Sequence, residues 1–391
     1  MPKIGNFTAQ IIATLIASPT AIIAVFLPIY FIEKGGTPLS FGVATSISLF
    51  FGIFFIFIGG LISDKWGRKK VILLGGFLSV AVNSLFIISN TWILIALVMI
   101  LFSLTQISTP AGKTIIVDSL QVGSRTKGIA GYQVIQALPM VSAPLIGGYF
   151  MKIYGLIEGF KISVLIVIFT SVISLLIQWL LLKETLVRIK AIQENPAGKK
   201  ENLLSLPKNL KYVWLVLSLV MTANAVVGPY YIIYAIKFIG IDALQWGIIV
   251  ALQIIVGSAA KIVGAAITDR TSKKTVMAVS LFLSAPLPLF FFFSNSFIGL
   301  LVVGISLVVV GSAYLPASEA FQVDLTKKTM RGKIFAFSEI VNNFSRGIGN
   351  IAGGILFTVS MVYPFLAFTV LELIGVLVLA ALVKEPKAKE E

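Results

Sequence analysis

Residues 60–70 read GLISDKWGRKK, a short polar loop that contains Gly60, Asp64, Gly67 and Arg68 and lies between two long apolar runs. Glycine at both ends of such a loop permits a tight turn and close helix packing. Asp64 can face the N-terminus of the following helix. The basic residues after Asp64 are typical of the cytoplasmic end of a membrane helix. The stretch therefore predicts a cytoplasmic turn between two membrane spans.

Apolar runs like the two beside this loop recur along the whole chain. The sequence is 58% hydrophobic and 12% charged, whereas a soluble domain has about 25% charged residues. A bilayer core of about 30 Å requires about 20 apolar residues per helix, and helices satisfy their own backbone hydrogen bonds in lipid. We therefore predict an all-α membrane protein with twelve spans, at about 8–31, 40–62, 71–90, 92–118, 129–151, 162–182, 212–236, 244–267, 275–294, 297–322, 334–357 and 361–383.

Basic residues are distributed unevenly between the two sides of these spans. Most of the 31 lysines and arginines fall on one side, and the other side holds only Lys34, Lys152, Lys161 and Lys237. The positive-inside rule places both termini in the cytoplasm, which predicts a multi-pass protein of the plasma (cell) membrane. This topology also accounts for the net charge of +15, so no nucleic-acid partner is expected.

Two residue types are absent from the sequence, histidine and cysteine. Histidine is the commonest general base and metal ligand, and cysteine supplies thiol chemistry. No nucleotide-binding motif of the form G-x-x-x-x-G-K-[ST] is present either. We therefore expect no enzymatic activity, no metal site and no cofactor.

The two halves of the chain resemble each other. Four features recur at one spacing of about 200 residues, as expected for an internal repeat: Pro110 with Pro316, Asp118 with Asp324, Arg125 with Arg331, and Gly147-Gly148 with Gly353-Gly354. We expect a six-helix bundle at 1–183, a polar cytoplasmic linker at 184–210 and a second six-helix bundle at 211–391. Because each copy has six spans, both begin on the same side and form a parallel repeat.

The loop at 60–70 resembles the motif G-x-x-x-D-x-x-G-R-[KR]-[KR] of the major facilitator superfamily and meets every defined position. A degraded copy at 264–274 keeps Asp269 and the basic pair, and includes Arg270. The resemblance implies a secondary transporter whose two bundles alternate access to a central site.

The resemblance also implies a latch. Asp64, with Gly60 and Gly67 in the same motif, would hold spans 2 and 11 together in the outward-facing state. Arg68 would join a charge cluster at the end of span 4, with Asp118 as its partner. The alternative is that Asp64 and Arg68 are only a helix cap and a topology signal.

Span 5 ends in Ala143-Pro144-Leu145-Ile146-Gly147-Gly148, which resembles the G-P-x-x-G-G end of a motif in antiporter branches of that family. Small residues and proline in a span also serve close helix packing. Branches that exchange drugs for protons usually carry an arginine in span 4. Residues 92–118 contain none, which argues against proton antiport by that route.

Six ionisable residues fall within the predicted spans, where each is costly unless it faces protein or water: Lys113, Lys261, Glu319, Glu339, Arg346 and Glu372. At about 100° per residue, a polar stripe runs along one face of span 11. Its members are Glu339, Asn342, Asn343, Arg346 and Asn350, and the equivalent stretch of span 5 carries Gln133 and Gln136. The resemblance implies that spans 5 and 11 line the gap between the bundles. The stripe is then a cavity wall, and a buried structural network is the alternative.

Further polar residues complete the candidate cavity and gate. Gln106 in span 4, and Asn224 and Tyr231 in span 7, are candidates for substrate contact. Lys113 and Glu319 occupy equivalent positions in the repeat, so a cross-bundle ion pair between them can close an inner gate. The alternative is separate pairing within each bundle, with Glu319 bound to Arg270 or Lys274. No role for Glu372 follows from the sequence.

The ionisable residues of the spans are compatible with two substrate classes, an organic anion and an amphipathic compound that is exchanged for protons. Arg346 offers a fork for a carboxylate or phosphate, or is the fixed counter-ion of a carboxylate within the spans. Glu339 and Glu319 can carry protons, unless Glu339 pairs with Lys261 or Lys113.

The leading hypothesis is proton-coupled efflux of amphipathic compounds by a monomer that binds a small-molecule substrate. Uptake or exchange of an organic anion or sugar is the alternative, and a non-transporting receptor of the same fold is a distant one.

Overall fold

The computed structural model describes residues 5–119, 140–185, 207–326 and 330–385, and these contain helices but no β-strand. The helical units correspond to the twelve predicted spans and are numbered after them. The first six are α1 (Asn6–Ala17, Ser18–Thr20 and Ala21–Glu33), α2 (Pro38–Trp66), α3 (Arg68–Ile88), α4 (Trp92–Phe102, Ser103–Ser108 and Thr109–Asp118), α5 (Ser142–Tyr154) and α6 (Leu156–Leu181). The second six are α7 (Lys208–Tyr234 and Ala235–Ile239), α8 (Ala243–Arg270), α9 (Lys273–Ser284 and Leu287–Phe293), α10 (Phe297–Gly311 and Tyr314–Asp324), α11 (Arg331–Val359) and α12 (Tyr363–Leu382).

Ten of these units are long and apolar enough to cross a membrane, among the residues that the structure describes. The described part of α5 has only 13 residues, and the predicted beginning of span 5 lies outside the described residues. α11 has 29 residues, but its charged and amide side chains make it too polar for the same criterion. The all-α fold with twelve membrane helices therefore agrees with the sequence prediction.

Each half is closed by the same pair of hydrogen bonds. Asn6, at the start of α1, donates to the Lys183 carbonyl at 2.9 Å and accepts from the Lys183 N–H at 2.7 Å. Asn209, at the start of α7, donates to the Lys384 carbonyl and accepts from the Lys384 N–H at 2.8 Å. Both asparagines thus tie the first helix of a half to the end of its sixth helix. The two halves are built alike and run in the same direction, as a parallel repeat requires.

The halves meet mainly at two helix pairs, α2 with α11 and α5 with α8, and α1 also contacts α7. Glycines bring the backbones together at both places. A Cβ atom at Gly354 would lie 2.8 Å from the Pro38 carbonyl oxygen, and one at Gly148 would lie 2.5 Å from the Ala243 carbonyl oxygen. Any larger residue at either position would separate the helices.

The glycine that precedes each of these packs within its own half. A Cβ atom at Gly147 would lie 2.6 Å from Ile22 of α1, and one at Gly353 would overlap the Val226 carbonyl oxygen of α7. The Gly-Gly repeat therefore joins the first helix of one half to the second helix of the other. Packing accounts for the glycines that resemble an antiporter motif.

The loop between α2 and α3 is closed by Glu184, which the sequence assigned to the linker. Its carboxylate accepts from the backbone N–H groups of Arg68 at 2.9 Å and Lys69 at 3.2 Å. A carboxylate at a helix N-terminus satisfies free donors and interacts favourably with the helix dipole. Gly67 has φ +102° and ψ 150°, a region almost restricted to glycine. A Cβ atom there would also overlap the Glu184 carboxylate.

Gly67→Ala is therefore expected to destabilise the protein by about 1–3 kcal/mol through backbone strain. Gly60→Ala is the matched control, because nothing lies within 4 Å of a Cβ atom at that position and alanine favours helix. Thermal unfolding of the purified protein in detergent should show a lower melting temperature for Gly67→Ala alone. Equal melting temperatures for the two variants would contradict this account of the loop.

Candidate functional site

The polar stripe of α11 lies between two contact faces of that helix. On one side, the Ser345 carbonyl accepts from Thr222 of α7 at 3.3 Å. On the other side, the Gly347 carbonyl accepts from Ser46 of α2 at 2.6 Å. At about 100° per residue, the stripe points between α7 and α2, toward the space that separates the halves. The opposite face of α11 carries Ile348, which is 47% exposed and faces outward.

Only one side chain of the stripe is buried, that of Asn350 at its far end. Glu339 and Arg346 are exposed, Asn342 and Asn343 are half-buried, and Asn350 is buried. In the predicted topology, Glu339 lies toward the cytoplasm and Asn350 toward the outside. The space along the stripe is therefore closed at the predicted external side and open at the predicted cytoplasmic side.

Arg346 lies near the middle of this open face. Its guanidinium group forms no hydrogen bond or ion pair within the described part of the chain, so the structure shows no fixed counter-ion. An arginine offers five N–H donors in a planar fork. All of them are available to a ligand in this conformation.

Glu339 and Glu319 lie close to each other on α11 and α10. The Asn343 amide donates to the Glu339 carboxylate at 3.1 Å, and Glu319 lies within electrostatic range of Glu339. Neither Lys113 nor Lys261 forms an ion pair with these carboxylates among the described residues, so the alternative pairing of Glu339 is not seen there. Two carboxylates are thus brought together beside the open space.

The alternative pairing of Glu319 with Arg270 or Lys274 is not present among the described residues in this conformation. Lys274 donates instead to the Ala380 carbonyl at 3.2 Å, and Arg270 is exposed. The ion pair at this corner joins Lys273 to Asp324. In the repeat, these two residues are the counterparts of Arg68 and Asp118.

The corresponding corner of the first half is only partly described. Arg68 donates to the Thr185 hydroxyl at 3.2 Å, and the side chain of Asp118 lies outside the described residues. The cluster that the sequence predicted for Arg68 is therefore seen here only in its second-half counterpart.

The other candidate cavity residues are distributed over three environments. Asn224 is exposed on α7 and donates to the Val220 carbonyl at 2.8 Å. The Tyr231 ring lies 4.7 Å from that of Phe291, inside the second bundle rather than in the gap. Gln106 lines a cavity within the first bundle. Gln133 and Gln136 lie outside the described residues.

The contact face of α2 extends beyond its contact with α11. Gly42 and Ser46 touch α11 in its external half. At about 100° per residue, Gly60 and Asp64 lie on the same face nearer the cytoplasm. Asp64 is exposed and bonds to no described residue, as is also true of Asp269 in the repeat. The Phe344 ring of α11 still lies 5.6 Å from the Phe50 ring of α2, whereas nothing lies within 4 Å of a Cβ atom at Gly60. The cytoplasmic part of this interface is therefore open.

Two ion pairs that the sequence did not predict join the halves at the external side. Lys152 of α5 lies 2.9 Å from Asp242, which precedes α8, and Lys237 pairs with Glu33 of α1. Burial raises the pKa of Asp242, but hydrogen bonds from the Gln245 amide and Lys152 outweigh it and leave the pKa below its ordinary value. The external closure thus combines glycine contacts with ion pairs.

Glu372 lies inside the second bundle, away from the space between the halves. It is 3% exposed and accepts a hydrogen bond from Ser284 of α9. Glu372 is the only ionisable acid or base that is buried among the described residues. The sequence placed Glu372 within a span but offered no role for it, because its partner Ser284 lies 88 residues away in the sequence.

The sequence matches one known protein family over most of its length. A family model described as Major Facilitator Superfamily matches residues 10–223 and 213–391. The chain belongs to the major facilitator superfamily. No curated protein sequence matches it significantly.

Solved structures of major facilitator transporters share the fold at low sequence identity. The nucleoside transporter NupG has a TM-score of 0.74 at 16% identity, over 95% of this chain and 96% of that one. A bacterial homologue of the human lysosomal transporter Spinster, solved inward-facing and occupied, has 0.69 at 15% identity, over 96% and 93%. The human organic anion transporter MFSD10 has 0.63 at 15% identity, over 97% and 100%.

Asp242 generates a prediction about pH. Its folded pKa is lower than its unfolded pKa, so its stabilisation is full above the ordinary carboxylate value and is lost as pH falls through the lowered value. Asp242→Asn should cost about 0.2–1 kcal/mol at neutral pH and should weaken the fall in melting temperature below about pH 4. Thermal unfolding between neutral and acidic pH measures both effects.

Glu158→Gln is the control, because the Glu158–Lys161 pair lies within α6 and joins no halves. The cross-half account is contradicted if both variants change the acid dependence of the melting temperature equally.

Proposed function

We propose that the protein transports a small organic anion by alternating access, with protons as the coupling ion. The observation that carries this proposal is Arg346, an exposed arginine that lies on the polar face of a membrane helix and pairs with none of the described residues. A cation within a span is costly unless water or an anion compensates it. A carboxylate or phosphate fits its fork with two parallel hydrogen bonds.

The chemistry around Arg346 supports an anion of modest size. Asn342 and Asn343 are one helical turn away and offer neutral donors and acceptors. MFSD10, which shares the fold, is described as an organic anion transporter. The substrate proposal rests on Arg346 all the same, because a shared fold does not determine a shared substrate.

The coupling site in this proposal is the Glu319–Glu339 pair. Two neighbouring carboxylates repel each other when both are ionised, so one of them readily holds a proton. Glu339 lies about two helical turns from Arg346 on the same face of α11. Binding of an anion at Arg346 and of a proton at Glu339 would therefore favour each other electrostatically.

The open part of the α2–α11 interface supplies the movement. Rocking of the halves about the external glycine contacts would bring Gly60 and Asp64 of α2 against α11. In the same movement, Lys113 and Glu319 would approach and close the cytoplasmic side. This is the latch that the loop motif predicts, and the present conformation is its released form. We propose that a monomer carries out this cycle in the plasma membrane, with both termini in the cytoplasm.

Proton-coupled efflux of an amphipathic compound is a second candidate. The Glu319–Glu339 pair favours it, because two carboxylates beside an open space can also bind an organic cation. Two features make it the weaker candidate. Packing explains the glycines of α5, and residues 92–118 contain no arginine.

The first functional prediction concerns Arg346. In proteoliposomes, Arg346→Ala should reduce uptake of a labelled carboxylate or phosphate ester about 10- to 100-fold, because charged hydrogen bonds to the ligand are lost. Arg346→Lys should recover part of the uptake, since it keeps the charge without the fork. Lys261→Ala is the control for loss of a cation within a span. Unchanged anion uptake in Arg346→Ala would overturn the anion proposal.

The second functional prediction concerns coupling. Glu339→Gln cannot release a proton, so substrate-driven proton flux, followed with a pH dye inside the vesicles, should fall to background. Exchange of substrate for substrate should persist, because Arg346 is intact. Glu158→Gln, on the external surface, should leave both fluxes unchanged. Proton flux driven by lipophilic cations and lost in Glu339→Gln, with no anion transport, would establish the second candidate instead.

A further inference from the structure

A partly open cavity of about 360 Å³ lies among the helices of the first bundle. All of its described lining residues come from α1, α3, α4 and α6. Its size falls within the range of about 300–1,000 Å³ that small-molecule sites occupy. A single buried water needs only about 10–15 Å³ of such space. The cavity is therefore too large to be an ordinary packing defect.

Two helices depart from α-helical geometry where they border this cavity. α1 changes to a 3₁₀ turn at Ser18–Thr20, and α4 does so at Ser103–Ser108. Thr20, Gln106 and Ser108 of these turns line the space. Such 3₁₀ stretches within a helix often mark a functional position.

The lining is polar but carries no ionisable side chain. Three carboxamides, those of Gln10, Gln106 and Gln178, project from three different helices. Gln10 is 8% exposed, and its Oε1 is buried with no hydrogen-bond partner in the described part of the chain. A buried acceptor without a partner costs about 1–3 kcal/mol, so this atom requires a donor from whatever fills the cavity.

The hydroxyl groups of the lining show which hydrogen bonds remain available. Thr20 donates to the Ala17 carbonyl at 2.7 Å, and Thr105 donates to the Phe102 carbonyl at 2.7 Å. Because each hydroxyl has one proton, both can only accept from a ligand. The Gln106 carbonyl oxygen accepts from Thr109 at 2.8 Å, which leaves its NH₂ group to donate.

A neutral space that offers both donors and acceptors suits ligand hydroxyl groups, because each hydroxyl both donates and accepts. A charged ligand would lie in the bundle interior without a counter-ion, at a high desolvation cost. We propose that this cavity binds a neutral, hydroxyl-rich solute of the size of a monosaccharide or polyol. The site is separate from the Arg346 face and does not depend on the proposed anion transport.

Cysteine protection can test the site in the full-length protein, because the chain contains no native cysteine. Ser79→Cys places a thiol in the cavity lining, and Asn343→Cys places one on the α11 face as the matched control. Labelling with methyl methanethiosulfonate would be followed in the presence of glucose, sorbitol or myo-inositol. Gluconate and glucosamine are the charged counterparts.

At least one neutral probe should slow labelling of Ser79→Cys about fivefold or more, and the charged counterparts should not. Labelling of Asn343→Cys should be unaffected. Adding Gln10→Leu to Ser79→Cys should abolish protection, whereas adding Arg346→Ala should retain it. Gln106→Leu provides a second test of the lining if Gln10→Leu lowers the yield of folded protein.

Three outcomes would overturn the proposal. One is equal protection of both cysteines, which would place the solute in the gap between the halves. Another is protection that persists in Gln10→Leu and in Gln106→Leu. The third is that no neutral probe protects Ser79→Cys or raises the melting temperature of the unmodified protein. That result would mean that the cavity holds water alone.

Discussion

Backbone contact at glycine is the constraint on which the relation between the halves depends. Lipid offers no hydrophobic driving force between membrane helices, so close packing and hydrogen bonds must hold them together. At Gly148 and Gly354, a helix of one half rests directly on backbone atoms of the other. Neighbouring groups exploit this closeness, as Ser46 does when it donates to the Gly347 carbonyl across the interface. The predicted external side is closed because four small residues permit close backbone contact there: Ser46, Gly148, Gly347 and Gly354.

The polar side chains of α11 follow from that closure. Where the helices touch, Asn350 is buried, and where they separate, Glu339 and Arg346 face open space. Charged groups are tolerated in a membrane helix only where water or protein surrounds them. One helix therefore combines a half that packs, on the predicted external side, with a more exposed half on the predicted cytoplasmic side. In the proposed function, the same helix contributes to both the transport site and the gate.

Much of this architecture could be read from the sequence, for a physical reason. Span positions follow from hydropathy, and the helices begin and end within a few residues of the predicted limits. The repeat at Gly147 and Gly353 was visible because close helix packing requires glycine at the same position in both halves. Periodicity also identified the stripe of α11, since a regular helix fixes which residues share a face.

Other features could not be predicted, because they depend on neighbours that are distant in the sequence. Glu184 caps α3 from 116 residues away, and nothing local distinguishes it from a linker residue. Tyr231 shares a helix with Asn224 but packs inside the second bundle. Periodicity shows which residues share a face of a helix, but not which element packs against that face. Gln106 was expected in the central gap, and the 3₁₀ segment of α4 directs it into the first bundle instead. The ion pairs between halves involve residues at helix ends, where no periodic pattern applies.

The two asparagine clamps have a mechanical consequence. By joining its first helix to the end of its sixth, each half becomes a closed ring of helices held at its seam. We expect a bundle closed in this way to resist sliding of its helices past one another and to move as a rigid body. In the proposed cycle, movement is then concentrated at the surfaces where the two halves meet.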